Sequence, residues 1–227
     1  MNNKNEIEKV LTKRIINNSY RTGDNFPTER ELAEEFNVSK TVIHEVMLSM
    51  RAKGFLSNQN GTRNQISSWV EDANMDIFQA LVSSNMECPT YDMASDFAEF
   101  RVFNEGKCAA LAAQNRTEED LEKMRLCIDR LEKVGSREEF AKYLTLFHHL
   151  IFNATRNKLY AILFGSFTKL IEQWAYQMFP DWKDYDTRSL RAIYMFIEDR
   201  NAIKAECIMT AYTTKEASRL TEISRSN

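Results

Sequence analysis

A chain of 227 residues has room for one large domain or two modest ones, each with a real hydrophobic core, and 43% apolar with 28% charged residues is an ordinary globular balance. A formal net charge of −3 argues by itself against a nucleic-acid partner, and no run has the apolar length of a membrane span. The total hides an asymmetry: residues 1–68 carry ten Lys or Arg against eight Asp or Glu, net +2, and the remainder twenty against twenty-five, net −5. A basic excess this small suits a first part that meets a polyanion as a pair, summing phosphate contacts from two copies, and an acidic body held away from it.

The largely polar Met1 to Glu8 does not read as a signal peptide. Cys88, Cys108, Cys127 and Cys207 are scattered without paired spacing, which suits reduced thiols and a cytoplasmic location better than disulfides or a zinc knuckle. Three histidines, two of them adjacent, are little material for catalysis, and no Gly-rich phosphate loop, Gly-x-Ser-x-Gly elbow or His-Glu-x-x-His pattern occurs. Glu118-Glu119 and Glu138-Glu139 sit at helix starts, where they favour the helix dipole without any chemistry. An enzyme is not expected, and no cofactor.

In chain order, Ile7, Val10, Leu11 and Ile15 form the stripe of a first helix that ends near Asn17 to Gly23, with Lys9, Lys13 and Arg14 either touching phosphate or forming a solvated face. Thr28-Glu29-Arg30-Glu31 has the Thr-x-x-Glu form of a capping box, and Leu32, Ala33 and Phe36 would form the buried stripe behind it. Asn37 falls at a sharp turn needing positive φ, and Ser39 caps the next helix. There Val42, Ile43, Val46, Met47 and Met50 recur at three- and four-residue steps, which leaves Ser39, Lys40, Thr41 and His44 on the opposite side near the N-terminus. That is where a helix-turn-helix presents side chains to the major groove.

Residues 54–59 and 64–67 read as two short strands around the hairpin dipeptide Asn60-Gly61, a wing whose Gly61 lets backbone approach DNA, or else a surface turn without contact. Trp69 to Asn74 is the expected linker, dividing a winged domain at 1–68 from a helical domain at 75–227. Helix patterns follow at roughly 74–84, 92–114, 117–134, 136–154, 157–178, 186–199 and 201–222, with starts at Thr117 and Ser136 and breaks near Asn157, Pro180 and Asn201. The fold class is mostly α: a winged helix-turn-helix followed by an all-helical bundle. The aromatics Phe152, Tyr160, Phe164, Phe167, Trp174 and Tyr176 fall at helical spacing, the usual mark of core.

The run from Pro27-Thr28-Glu29-Arg30-Glu31-Leu32-Ala33-Glu34 through Val38-Ser39-Lys40, Ile43 and Glu45-Val46 to Lys53-Gly54-Phe55-Leu56 and Asn60-Gly61-Thr62 resembles the winged-helix domain of GntR-family bacterial transcription regulators. The resemblance implies DNA contacts by Arg30, Ser39, Lys40, Thr41, His44 and Gly61. Lys40 and His44 stand where Arg is usual in that family. Arg can grip guanine with two donors, and these residues cannot, which points to a different operator.

Arg101-Val102-Phe103-Asn104-Glu105 leading into Ala109 to Ala113, then Arg116-Thr117 with Asp120-Leu121, then Phe147-His148 and Asn157, resemble the FCD domain of the FadR-like subfamily. Most such domains hold a metal through an Asp, a His one turn later and two further His. Here His148 keeps one position, while Leu144, Leu190 and Tyr212 fill the other three, and His149 points about 100° away from its neighbour. No metal is therefore expected. The replacements lie on stripes with Ile193, Tyr194 and Ile197, and with Ala205, Ile208 and Met209, so they should face the interior.

Arg101, His148 and Tyr212 are the candidate effector contacts, for a carboxylate or an acyl ligand; against this, Glu105 one turn on could simply pair with Arg101. The resemblance implies a homodimeric regulator on an inverted-repeat operator, a repressor by analogy with many relatives, answering to a small molecule. The alternatives are a helical protein–protein adaptor, or a regulator whose second domain only dimerises.

Overall fold

In the computed structural model, which describes residues 3–57, 63–84 and 91–226, the helix starts fall on polar residues able to cap them. The side chains of Ser84, Tyr91, Asp92 and Ser226 are excepted. The chain divides into two compact units, Met1–Asn85 and Met86–Asn227.

In the first unit, α1 (Lys4–Ile16) follows a capping box of Asn3 and Glu6, and α2 (Glu29–Phe36) a second box of Thr28 and Glu31. The Thr28 hydroxyl takes the Glu31 amide, and the Glu31 carboxylate takes the Thr28 amide at 2.7 Å. α2 ends at Asn37 with φ 53° and ψ 51°, the left-handed conformation expected there. The Val38 amide then reaches back to the Ala33 carbonyl at 3.1 Å, a Schellman-type closure. Asn37→Ala should cost about 1 kcal/mol in denaturant unfolding, because a Cβ without a polar tip is strained there, whereas Asn37→Gly should be close to neutral. Equal stability of both variants would count against that cause.

Ser39 caps α3 (Lys40–Ala52). Ile43, Val46, Met47 and Met50 of α3 join Ile7, Leu11, Ile15, Phe26, Leu32 and Phe55 in one core. Three expected members sit at its margin: Phe36 and Val42 are only partly buried, and Val10 is 41% exposed because its step from Ile7 carries it to the edge of the α1 stripe.

The wing is shorter than its sequence pattern among the described residues: β1 (Leu56–Ser57) pairs antiparallel with β2 (Gln65–Ile66), Leu56 opposite Ile66. Residues 58–62, with Gly61, lie outside the described residues. The other edge of β2 is taken by residues 23–26, through Gly23 N–H to Ile66 O at 2.9 Å and Phe26 N–H to Asn64 O at 2.8 Å. That pairing is long-range and left no mark in the local pattern.

α4 (Met75–Ser84) corrects the boundary expected after Asn74, since it belongs to the first unit. Asn74 explains why. Its Oδ1 caps α4 at the Asp76 and Ile77 amides while its Nδ2 donates to Lys53 O at 3.2 Å, and Ile77 enters the core over Gly54.

The second unit is built from α5 (Tyr91–Asn115), α6 (Glu118–Leu131), α7 (Arg137–Ala154), α8 (Lys158–Met178), α9 (Arg188–Glu198) and α10 (Ala202–Ser226), with a 3₁₀ turn at Trp182–Asp184. Its main packings are α5 on α10, α7 on α8, and α6 on α7. α5 and α10 approach at Gly106, where an added Cβ would collide with the Thr210 hydroxyl. Thr117 and Asp120 form the expected capping box, whereas Ser136 caps α7 alone and the Glu139 carboxylate takes the Gly135 amide. The breaks expected at Asn157 and Asn201 come from left-handed Arg156 and Arg200; the asparagines cap the helices that follow.

Candidate nucleic-acid interface and buried pocket network

α3 has one buried and one open face. Ser39, Lys40, Thr41 and His44 are all exposed around its first turn, with Ile43, Val46 and Met47 turned inward. Ser39 Oγ is spent on the Val42 amide at 3.4 Å. Lys40 makes no ion pair among the described residues, so its charge is free at the end of the helix. Arg30 lies on α2, 76% exposed at its side chain, with its Nε on Glu34 Oε1 at 2.9 Å. His44 Nδ1 stands 2.7 Å from Glu29 Oε1. The sequence pattern gave Glu29 no role beyond filling the Thr28-x-x-Glu31 motif and did not show this pairing, because the two residues are fifteen apart and meet only when α2 packs on α3. Thr28 holds the Glu31 carboxyl below the ordinary range through its amide and hydroxyl, leaving an anion at the edge of this face.

The second unit encloses a chain of polar side chains where apolar packing would be expected. Arg101 on α5 gives Nε to Glu105 at 2.5 Å and Nη2 to Glu216 on α10 at 2.8 Å. The other oxygen of Glu105 meets His148 Nδ1 at 2.6 Å, and that of Glu216 accepts from Tyr212 at 2.5 Å. Tyr185 continues the chain to the Tyr212 hydroxyl at 2.7 Å. Burial would raise the Glu105 carboxyl, but Arg101 beside it, with His148, holds it at about 2. Glu105 is therefore an acceptor and His148 Nδ1 carries the hydrogen. Burial pushes Tyr212 and Tyr185 well above the ordinary phenol range, with Glu216 adding to both, so both stay protonated.

Arg101, His148 and Tyr212 are thus brought into one network, and Arg101 does pair with Glu105, with Glu216 as a second carboxylate. Glu216 and Tyr185 were not singled out from sequence. The signal for Glu216 was its position one turn after Tyr212. Next to this network lies a cavity of about 670 Å³ whose walls include Phe179, Tyr185, Tyr212, Glu216 and Arg219, a size within the range of small-molecule sites.

His148 has the posture of a metal ligand, one nitrogen on a carboxylate and Nε2 buried without a protein partner. It is a single donor. Leu144, Leu190 and Tyr212 are buried at the positions that would supply the rest, and among the described residues no three His, Cys, Asp or Glu side chains are placed to share an ion. The residues present do not fit a resident metal. Cys108 and Cys127 are free thiols that burial pushes up to about 12, so they are poor ligands as well.

The exposed first turn of α3 is the face that a helix-turn-helix offers to DNA. Comparison with known families agrees: the model for bacterial regulatory proteins of the gntR family matches residues 3–64, and the FCD domain model matches residues 96–215. The chain belongs to the GntR family of bacterial regulatory proteins. It is a GntR transcription regulator with an FCD domain, and its relatives are regulators rather than enzymes. It is 22% identical over 207 residues to a fatty acid metabolism regulator protein of a Shewanella species, covering 90% of this chain and 84% of that one. It is 27% identical over 170 residues to the Uxu operon transcriptional regulator of Escherichia coli, covering 70% of this chain and 61% of that one.

Among solved structures, Lar, which controls the Listeria monocytogenes agr system, is similar with a TM-score of 0.60 at 14% identity, covering 97% of each chain. A GntR family member from Pseudomonas syringae gives 0.55 at 17% identity, covering 98% of this chain and 86% of that one. These likenesses are of fold. Among the described residues, no helix of this GntR regulator is long and apolar enough to cross a membrane.

Proposed function

We propose that this GntR regulator binds an inverted-repeat operator as a homodimer, represses transcription there, and changes its DNA affinity when a small molecule enters the helical unit. The open face of α3, where Ser39, Lys40, Thr41 and His44 are all exposed and Lys40 has no ion pair among the described residues, is the observation that carries the proposal. Arg30 lies on α2, and Gly61, outside the described residues, is proposed as a backbone contact from the resemblance alone. A net charge of only +2 over residues 1–68 supports pairing, since two copies double the phosphate contacts and their two-fold axis makes the operator a repeat. The repressor role draws on analogy with a relative named as one, the transcriptional repressor NanR of Cronobacter sakazakii.

The cavity beside Tyr185, Tyr212 and Glu216 is the effector site of this proposal. Arg101 is already held by two carboxylates. A carboxylate effector at Arg101 would have to displace one of them, and Arg101 does not line the cavity; an acyl ligand with its tail against Phe179 and Tyr212 and its polar end at Arg219 fits these walls, in keeping with the Shewanella relative's role in fatty acid metabolism. The closed network also favours a second reading, a helical unit that only dimerises. A long-chain acyl thioester that raises the thermal midpoint and shifts operator affinity supports the first reading. No shift with any acyl ligand supports the second.

Selection of bound sequences from random duplex DNA by the full-length protein tests the DNA-binding reading, and enrichment of an inverted repeat is expected. On that operator Lys40→Ala should weaken binding at least about tenfold and lower the slope of log affinity against log salt by about two, one for each subunit of the dimer, if it touches phosphate. Affinity unchanged at moderate salt would remove Lys40 from the interface.

A further inference from the structure

We propose that Glu29 fixes the hydrogen-bonding character of His44, making this position of α3 a reader of the amino group of adenine or cytosine. The inference rests on α3 lying in the major groove. His44 Nδ1 is 2.7 Å from Glu29 Oε1, and an ionised carboxylate only accepts hydrogen bonds. The ring hydrogen therefore sits on Nδ1, and Nε2 of the neutral imidazole is a lone-pair acceptor. The pair is on the open side, with side chains 51% exposed for His44 and 40% for Glu29, so Nε2 is not consumed by the core.

In the major groove the hydrogen-bond donors are the N6 amino group of adenine and the N4 amino group of cytosine; guanine offers N7 and O6, and thymine O4, all acceptors. An acceptor on the protein is attracted to the first pair and meets lone pairs on the second. Lys40, one turn earlier on the same helix face, has the opposite character, since an ammonium only donates. One turn of α3 therefore sets a donor beside an acceptor.

Glu29 can act this way because its place is built by the fold. It is the first residue of α2, whose entry is held by the Thr28–Glu31 box and whose exit is held by left-handed Asn37, while Leu32 and Ala33 pack against the Ile43 side of α3. The acidic and basic groups nearest in the sequence of α3 are Glu45, which is engaged by Lys4 at 3.3 Å, and Lys40. Glu29 touches the ring and not the DNA, so it is a positioning residue.

The test uses full-length protein in the same selection from random duplexes at pH 8, with wild type, His44→Ala and Glu29→Gln compared position by position. One position in each half-site should lose its preference in His44→Ala. In wild type an analogue of the adenine or cytosine at that base pair, lacking only the major-groove amino group, should bind about tenfold more weakly, the order expected for one base-edge contact. Glu29→Gln keeps the shape but can give an amide hydrogen to Nδ1, freeing Nε2 to carry the proton. It should remove the tenfold effect of the analogue and leave the other positions intact.

An analogue that binds wild type as well as the natural base, or an equal loss on the analogue in Glu29→Gln, overturns the inference while leaving the docking of α3 standing. Absence of any enriched sequence, or profiles indifferent to both His44→Ala and Lys40→Ala, overturns the docking and the inference together.

Discussion

Arg101→Ala should cost the helical unit about 3–5 kcal/mol, the range for removing one partner of a buried ion pair. Arg101 and Glu105 have side chains 6% and 0% exposed, and the guanidinium is the cation between Glu105 and Glu216. Without it two carboxylates remain buried near His148 with no charge to balance them. Arg101→Met, which restores volume without charge, should recover little. Combining it with Glu105→Gln and Glu216→Gln should recover most, because the desolvated anions are the source of the cost. A loss below about 1 kcal/mol in urea unfolding would show that the network tolerates an unpaired charge, contrary to the argument.

The same pair predicts opposite acid responses. In the wild type the Glu105 carboxyl is held at about 2 against an ordinary 4.5, so its contribution is complete above pH 4.5 and is lost as pH falls from there toward 2. In Arg101→Ala the largest lowering influence is gone and burial dominates, which places the folded-state value above the unfolded one. Stability of that variant should fall as pH rises above 4.5, so it should be more stable at pH 4.5 than at pH 7. Circular dichroism melts across this range give the sign directly.

Trp174→Ala should cost about 3–5 kcal/mol, the range for truncating a buried aromatic, through the cavity left behind. Trp174 is 1% exposed and meets the edge of Phe97 at 5.1 Å, while Phe97 contacts Phe167 at 4.8 Å. The indole thereby ties α5 to α8, two elements far apart in the chain, and Trp174→Phe should retain more than half of the stability. Calorimetry should show the transition of the helical unit lowered and that of the winged unit unchanged. A melt unchanged in both would mean that the cluster closes over the gap.

The core and the helix starts were legible before any coordinates, for local reasons. Thr28 with Glu31 and Thr117 with Asp120 satisfy amides within their own first turn, and the stripes of α3 and α9 need only a 3.6-residue period to show which side is buried. Asn37 was readable because few side chains accept positive φ. The candidate α3 residues could be named in the same way, as the side opposite the stripe. The placement of α4 was not legible, because Asn74 reads as a linker residue until Lys53 O is beside it.

For this GntR regulator, sequence alone determined the order of most elements and which faces of α2, α3 and α9 are buried. These follow from periodicity, capping chemistry and residue identity, all carried by neighbours within a few positions. Tertiary structure alone decided the long-range partners of the polar residues: Glu216 for Arg101, Tyr185 for Tyr212, and Glu29 for His44. A charged or polar side chain has several possible partners, and only the packing of distant helices brings one of them within 3 Å and takes away the water that would otherwise compete for it.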